Sequence, residues 1–469
     1  MSVSVMSPAV PAPISFYTSI PPHITETDHV QRSLVQLRTK SKGLEQYIFL
    51  NGLKERDPSS RILGLGDLGA NGLPISIGKL DLYVAGAGIR PSSTLPICLD
   101  VGTNTKKFIE DPLYIGMDEF MEEFMSAMSE VFPELVVQFE DFSTENAFKY
   151  LDLFRSRYRV FNDDIQGTGK ETGAVVLSGF LNAARISSAA SGLPLSEHRI
   201  LFFGAGSSGI GVAKQLVSFF TELGLSVDEA KKQIYTVDSK GLITADREGL
   251  QEHKKFFART DYQGPALTSL VDIVNHVKPT ALLGLSTIGG AFTEEVVKAM
   301  AATNNRPIIF PLSNPVSKCE LSFQDAINWT NGRVVFASGS PYNPVIYEGT
   351  TYEAGQGNNM YMFPGIGLGV ILSKAKHITD AMVEKAAIAL SSSLNEEENS
   401  RELVYPRLNR IRDISAQVAL AVAREAQKEG IDNNIVLRSL NDNEALKHIT
   451  GKMWKPCYES HLKLGVGIL

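Results

Sequence analysis

Cysteine is scarce in this chain: its 469 residues include three, Cys98, Cys319 and Cys457, with no CxxC spacing among them. That argues against a disulfide framework or a thiolate zinc site and fits a reducing compartment. Long apolar runs are missing too. A stretch such as Phe363 to Leu372 falls well short of the roughly 20 residues a membrane helix needs, so no membrane span is expected. The first twenty residues contain no Lys or Arg. Secretory signals start positive and mitochondrial transit peptides are Arg-rich, so a cytoplasmic address is expected, with the mitochondrion as the alternative. An excess of positive charge is absent as well. Lys and Arg number 45 against 52 Asp and Glu, a formal net charge of −7, which gives no general electrostatic reason to bind nucleic acid. A small metabolite is the better expectation. There is no solenoid-length repeat and no low-complexity tract beyond the first residues, where three prolines between Met1 and Pro13 suggest a tail.

What the chain does have is 43% hydrophobic residues, enough for a sizeable core split over two or three domains. Leu34, Leu37, Leu44, Ile48 and Leu53 recur at near-helical intervals, and Met117 to Phe132 reads as an amphipathic helix. Leu135 to Phe139 is a short strand with acids directly after it. The second half alternates apolar strands (Ile200–Phe203, Ile234–Val237, Ala281–Leu285, Ile308–Leu312, Val334–Ala337) with helical segments. That alternation implies an α/β fold with a doubly wound parallel sheet.

The pattern GxGxxG occurs twice, at Gly64 to Gly69 and at Gly204, Gly206 and Gly209. Context separates them. The second copy follows a strand and opens a helical stretch, as a dinucleotide-binding turn does. There glycines allow close backbone approach, and the helix N-terminus offers amides to a pyrophosphate. A tight strand-to-helix turn in another α/β fold is the alternative. The first copy is followed by Asn71, Gly72 and Pro74, which disfavour an uninterrupted helix. Asp238 ends the next strand, where ribose hydroxyls are read. Ser239, Lys240, Arg247, Lys254 and Lys255 follow, and a basic group there suits a 2′-phosphate, although a solvated helix face explains any single lysine equally well. Glu140-Asp141 and Asp163-Asp164 stand at strand ends. Such carboxylates can converge on a hard divalent cation, Mg²⁺ or Mn²⁺ rather than zinc, although surface acids or helix caps look the same in sequence.

The segments RILGLGDLGANG (Arg61 to Gly72), IGKL (Ile77 to Leu80), LDVGTN (Leu99 to Asn104), DPLYIG (Asp111 to Gly116), QFEDF (Gln138 to Phe142) and FNDDIQGTG (Phe161 to Gly169) resemble those of malic enzymes. So do VDSKGL (Val237 to Leu242), IGGAF (Ile288 to Phe292), LSNP (Leu312 to Pro315), FASGSP (Phe336 to Pro341) and GQGNN (Gly355 to Asn359), all in the family's order. The resemblance implies a divalent-metal-dependent oxidation of L-malate to pyruvate and carbon dioxide with NAD or NADP. It implies Arg61 as a malate-carboxylate ligand, Lys79 as general base on the C2 hydroxyl, and Glu140, Asp141 and Asp164 as metal ligands. Asn314 and Asn358 would line the malate and nicotinamide region, and a homo-oligomer, dimer or tetramer, is expected. NADP is favoured over NAD, with Lys255 at the 2′-phosphate. The implied domains are a truncated N-terminal substrate domain at 14–162, a Rossmann NAD(P)-binding domain at 163–435 and a C-terminal tail at 436–469.

The chain also departs from the family. A segment like Leu44 to Pro58 is followed in malic enzymes by a long stretch bearing a Tyr-Thr-Pro motif, whose tyrosine protonates C3. Here Arg61 follows almost at once, and Lys170 to Gly173 looks inserted after the carboxylate loop. Hydride transfer is therefore expected to suffer less than the final protonation. The competing readings are a catalytically impaired homologue that binds nucleotide or a partner, and a simple malate dehydrogenase releasing oxaloacetate.

Overall fold

The computed structural model describes residues 73–99, 110, 117–140, 142, 144–162 and 172–456. The chain divides into two compact units, Met1–Ile75 and Ser76–Leu469; apart from Leu73, Pro74 and Ile75, the features below belong to the second. Arg61, Asp141, Asp164, the first GxGxxG copy and the helical stretch from Glu26 to Leu53 lie outside the described residues.

Helix α1 spans Leu73–Ala87. Pro74 falls in its first turn, where a missing N–H costs nothing, so this proline starts a helix instead of preventing one. Helix α2 (Met117–Val131) buries Met121 and Met125, one turn apart, and places Asp118 and Glu119 in its first turn, where the helix dipole favours acids. Strand β1 (Val137–Phe139), helix α3 (Thr144–Phe154) and strand β2 (Val160–Asn162) follow. The two strands pair in parallel with Val137 opposite Val160. Phe139, Tyr150, Phe154 and Val160 pack with the two α2 methionines into a small core of their own.

After α4 (Thr172–Ser191) comes the main sheet: β3 (Ile200–Phe203), β4 (Ile234–Asp238), β5 (Gly241–Leu242), β6 (Ala281–Gly284), β7 (Ile308–Pro311) and β8 (Val335–Ser338). A hairpin of β9 (Val345–Tyr347) and β10 (Thr350–Tyr352) stands apart, and β11 (Gly355–Gln356) completes the sheet in the order β11-β8-β7-β6-β3-β4-β5. Every pairing in it is parallel except that of β5 with β4. Helices cover both faces, so the strands are buried on both sides and read as continuous apolar runs. Helix α5 (Ser207–Glu222) lies with α4 against one face; α6 (Val227–Lys232) precedes β4, and α7 (Glu252–Lys255) follows β5. On the other face pack α8 (Leu270–Val277), α9 (Glu294–Thr303) and α10 (Phe323–Thr330). Because the chain leaves β3 for β4 on one side and returns to β6 on the other, the switch point lies between β3 and β6. Ligands of open parallel sheets bind outside the strand C-termini there.

The chain ends in α11 (Phe363–Ser373), α12 (Asp380–Ser391), α13 (Glu396–Ser400), α14 (Ile411–Lys428), α15 (Ile435–Ser439) and α16 (Asp442–Lys452). The segment set off from residue 436 as a tail is thus helical as far as Lys452. Leu437, Ala445 and Ile449 bury themselves against Ala416, Ala419 and Ala423 of α14. Their small, short-period pattern gave little hydrophobic signal in the sequence.

His198, just before β3, is fully buried. Thr280 Oγ1 donates to the Arg199 carbonyl, so His198 Nδ1, at 2.9 Å, must be the donor to Thr280, leaving Nε2 to accept from Ser188 Oγ at 3.0 Å. Burial pushes this imidazole down to about 4. The unfolded chain then binds the extra proton between its ordinary value near 6.5 and about 4. Stability is accordingly full above 6.5 and is lost as pH falls through that window. In urea titrations at several pH values, His198→Gln is expected to abolish on the order of 3 kcal/mol of the stability that the wild type loses across that window. An unchanged slope would show that the imidazole does not stay neutral.

Candidate functional site

The turn from β3 into α5 carries Gly204, Gly206 and Gly209 at the switch point. Gly204 has φ +118°, and a Cβ there would run into the Leu285 carbonyl. Gly209 has no room because the Gly204 carbonyl faces it. Gly206 differs. Its backbone is extended, at φ −73° and ψ −175°, which any residue adopts, and a Cβ would meet nothing within 4 Å. Neither strain nor packing asks for glycine at this position, whereas a pyrophosphate laid against the backbone does. No side chain caps α5, so its first-turn amides suit an anion. The residues fit a dinucleotide.

Asp238 closes β4, the neighbour of β3 on the side away from β6. Arg247 Nη2 reaches both of its oxygens at 2.9 Å, Lys254 Nζ reaches Oδ2 at 3.0 Å, and the Lys240 amide donates to Oδ1 at 2.9 Å. Burial raises this carboxyl, but the Lys240 amide, Arg247 and Lys254 outweigh it and hold the group below the usual range. Two cations against one carboxylate leave the pocket net positive. Lys255 is not part of it: its side chain is exposed and pairs with Glu252 at 2.6 Å. Ser239 lies exposed in the turn. Arg247 and Lys254 stood among the basic residues after Asp238 in the sequence, but the phase of a four-residue helix could not be read there.

Lys79, on α1, places Nζ 3.0 Å from Glu140 Oε1 at the end of β1, with side chains 21% and 11% exposed. The ammonium also sits over the Phe363 ring at 4.9 Å. One turn along α1, Tyr83 donates to Gln138 Oε1 at 2.6 Å, and Gln138 Nε2 donates to Glu140 Oε2 at 2.8 Å. The expected base and one expected metal ligand are therefore neighbours, with the second carboxylate oxygen held by an amide. Among the described residues no three His, Cys, Asp or Glu converge as a metal site, since Asp141 and Asp164 are not among them. The carboxylate oxygens of Glu140 are the donor type a hard divalent cation prefers.

Asn314 lies three residues past the end of β7, and Asn358 two residues past the end of β11. Asn314 Oδ1 accepts from Ser340 Oγ at 2.6 Å, and Gly339 packs on its side chain. Gly357 N donates to the Ser338 carbonyl at 2.8 Å, and the next residue, Asn358, caps Met360 N at 3.0 Å in the turn that leads to Phe363. The turn thus ties Asn358 to the ring beneath Lys79. Gln138, Tyr83 and Phe363 escaped the sequence reading, though Tyr83 lies four residues after Lys79, on the same helix face.

Residues 165–427 match the family model described as "Malic enzyme, NAD binding domain", and residues 56–155 match "Malic enzyme, N-terminal domain". Curated relatives include an NADP-dependent malic enzyme of Dictyostelium discoideum, 49% identical across 79% of this chain and 69% of the relative. Another is NADP-dependent malic enzyme 2 of Arabidopsis thaliana, 43% identical across 86% and 68%. The NADP-dependent malic enzyme of Rattus norvegicus is 45% identical across 79% and 65%. Among solved structures, the Entamoeba histolytica malic enzyme superposes with a TM-score of 0.63 at 25% identity, covering 93% of this chain and 83% of that one. The Pyrococcus horikoshii malic enzyme shares the fold, with a TM-score of 0.61 over 93% and 91% at 24% identity. These matches show that the chain belongs to the malic enzyme family.

Proposed function

We propose that the chain oxidatively decarboxylates L-malate to pyruvate and carbon dioxide, using a divalent metal and preferring NADP to NAD. The observation that carries this is the 3.0 Å pair of Lys79 and Glu140. Arg61 would hold a malate carboxylate, and Lys79, once neutral, would take the C2 hydroxyl proton so that hydride can leave C2. Asn314 and Asn358 would orient malate and the nicotinamide ring. Glu140, with Asp141 and Asp164, would hold Mg²⁺ or Mn²⁺, whose charge stabilises the enolate oxygen as carbon dioxide departs. With the Tyr-Thr-Pro segment absent from the expected place, water or another acid must protonate C3.

Malate-dependent NADP reduction by the purified chain with Mn²⁺ tests the proposal. If folded protein binds NADPH calorimetrically but neither Mn²⁺ nor malate, the chain is a nucleotide-binding homologue without turnover. Cofactor preference rests on the Asp238 pocket. A lone carboxylate there would repel a 2′-phosphate, whereas Arg247 and Lys254 offset it. Lys254→Gln is expected to weaken NADP about tenfold, roughly 1.4 kcal/mol, and leave NAD nearly unchanged. Lys255→Gln, which the sequence pattern had marked, is expected to change neither. A loss confined to Lys255→Gln would reverse the assignment.

A further inference from the structure

Glu320 lies between β7 and α10 and is fully buried. Its Oε1 accepts from Ser286 N at 2.9 Å, Ser286 Oγ at 2.9 Å and Ser313 Oγ at 2.5 Å, and its Oε2 from Ser313 N at 3.4 Å. Among the described residues no Lys or Arg comes within salt-bridge range of it. A buried carboxylate without a cation is costly unless its hydrogen-bonding capacity is met, and here hydroxyls and amides alone meet it. Those donors come from two places. Ser286 follows β6, and Ser313 follows β7, directly before Asn314. Ser313 Oγ also accepts from Thr287 N at 2.9 Å, closing a ring of bonds between the two loops. Gly284, the last residue of β6, has no space for a Cβ because the Glu320 side chain fills it.

The position of this ring gives it a use. The adenosine end of the crevice is marked by Asp238 on β4, to one side of β3. A dinucleotide crossing the switch point must carry its nicotinamide half past β6 and β7 on the other side. Gly204 packs against Leu285 and Ser286, and Asn314 is fastened to Ser340. Glu320 therefore ties together the loops that flank the nicotinamide half and touches none of the adenosine pocket.

We propose that Glu320 is a positioning residue that sets the β6 and β7 loops for the nicotinamide half of the cofactor. This inference rests on the nucleotide-binding reading above. Glu320→Gln keeps the volume but turns an NH₂ toward donors that need an acceptor, so the two loops should loosen. The test compares NADPH with adenosine 2′,5′-bisphosphate, which carries the adenosine with its 2′- and 5′-phosphates and no nicotinamide half, by calorimetry and by the fluorescence of the bound reduced ring. Glu320→Gln is expected to weaken NADPH about tenfold and alter its bound emission, with the bisphosphate held within about twofold. Ser286→Ala should show the same split more mildly and serves if Glu320→Gln does not fold. Glu398→Gln is the control, because Glu398 is equally buried but bonded to Arg407 and Arg410 away from the crevice; it should lower thermal stability without splitting the two ligands. Equal losses for both ligands, or no loss in the Glu320 and Ser286 variants, would overturn the inference and leave nucleotide binding intact. A wild-type chain that binds neither ligand would overturn both.

Discussion

Lys79→Met is expected to lower malate-dependent reduction of NADP by about 10²–10⁴-fold, the usual worth of a general base, while NADPH affinity stays at the wild-type level. The amine is the only group of Lys79 that the proposed chemistry uses, and it meets Glu140 and the Phe363 face, neither of which belongs to the Asp238 pocket. Lys79→Arg separates a base from a mere ion-pair partner. A guanidinium keeps the charge and can still reach Glu140, yet it does not give up a proton in proteins. If the lysine only balanced Glu140, arginine would restore turnover; if it is the base, both variants are equally slow. A further consequence concerns the metal. With the ammonium withdrawn, Glu140 loses a competitor, so Lys79→Met should bind Mn²⁺ a few times more tightly, whereas Glu140→Gln should weaken it. Mn²⁺ titration followed by electron paramagnetic resonance reads this without any turnover. Tighter binding by Lys79→Arg than by Lys79→Met would contradict it.

The glycine turn yields the second large effect, in two opposite directions. Gly206→Ala is expected to leave the unfolding free energy within about 0.5 kcal/mol of wild type, because its backbone is ordinary and its Cβ meets nothing. The same methyl would stand where a pyrophosphate must approach, so NADPH affinity should fall at least about tenfold. Gly209→Ala reverses the pattern. Its Cβ would press on the Gly204 carbonyl, a backbone atom that cannot rotate away, and a loss of about 1–3 kcal/mol in urea stability follows. Measuring both quantities for both variants decides the matter. If Gly206→Ala lost as much stability as Gly209→Ala and still bound NADPH normally, the open space at this turn would have a structural purpose instead.

These glycines also show where sequence reading succeeds. A strand, a GxGxxG turn and a helix lie within one local stretch, so Gly204, Gly206 and Gly209 could be placed before any coordinates were known. The parallel sheet was legible for the same reason, because each doubly buried strand announces itself as an apolar run. Lys79 and Glu140 were found as motif positions, yet their 3.0 Å contact joins residues 61 positions apart, a separation no local pattern reports. Glu320 was invisible. In sequence it is one acid after a buried cysteine, and its meaning comes from Ser286, brought to it only by the pairing of β6 with β7. Lys254 and Lys255 could not be told apart by their surroundings in the sequence. Neighbours on a helix point about 100° apart, and one turned toward Asp238 while the other met Glu252.

Both ends of the seven-stranded sheet are two-residue strands: Gly241–Leu242, running against its neighbour, and Gly355–Gln356. An open edge is a template on which another chain can lay a strand, and long, flat edges invite polymerisation. These offer at most a bond or two before the chain turns away, and Gly241 sits at φ +101°, against the Leu267 carbonyl. The sheet is therefore protected from edge-to-edge growth without a barrel or a covering helix. Among the described residues, neither edge of this sheet offers a strand long enough to carry a continuous hydrogen-bonded ladder into a second copy's sheet.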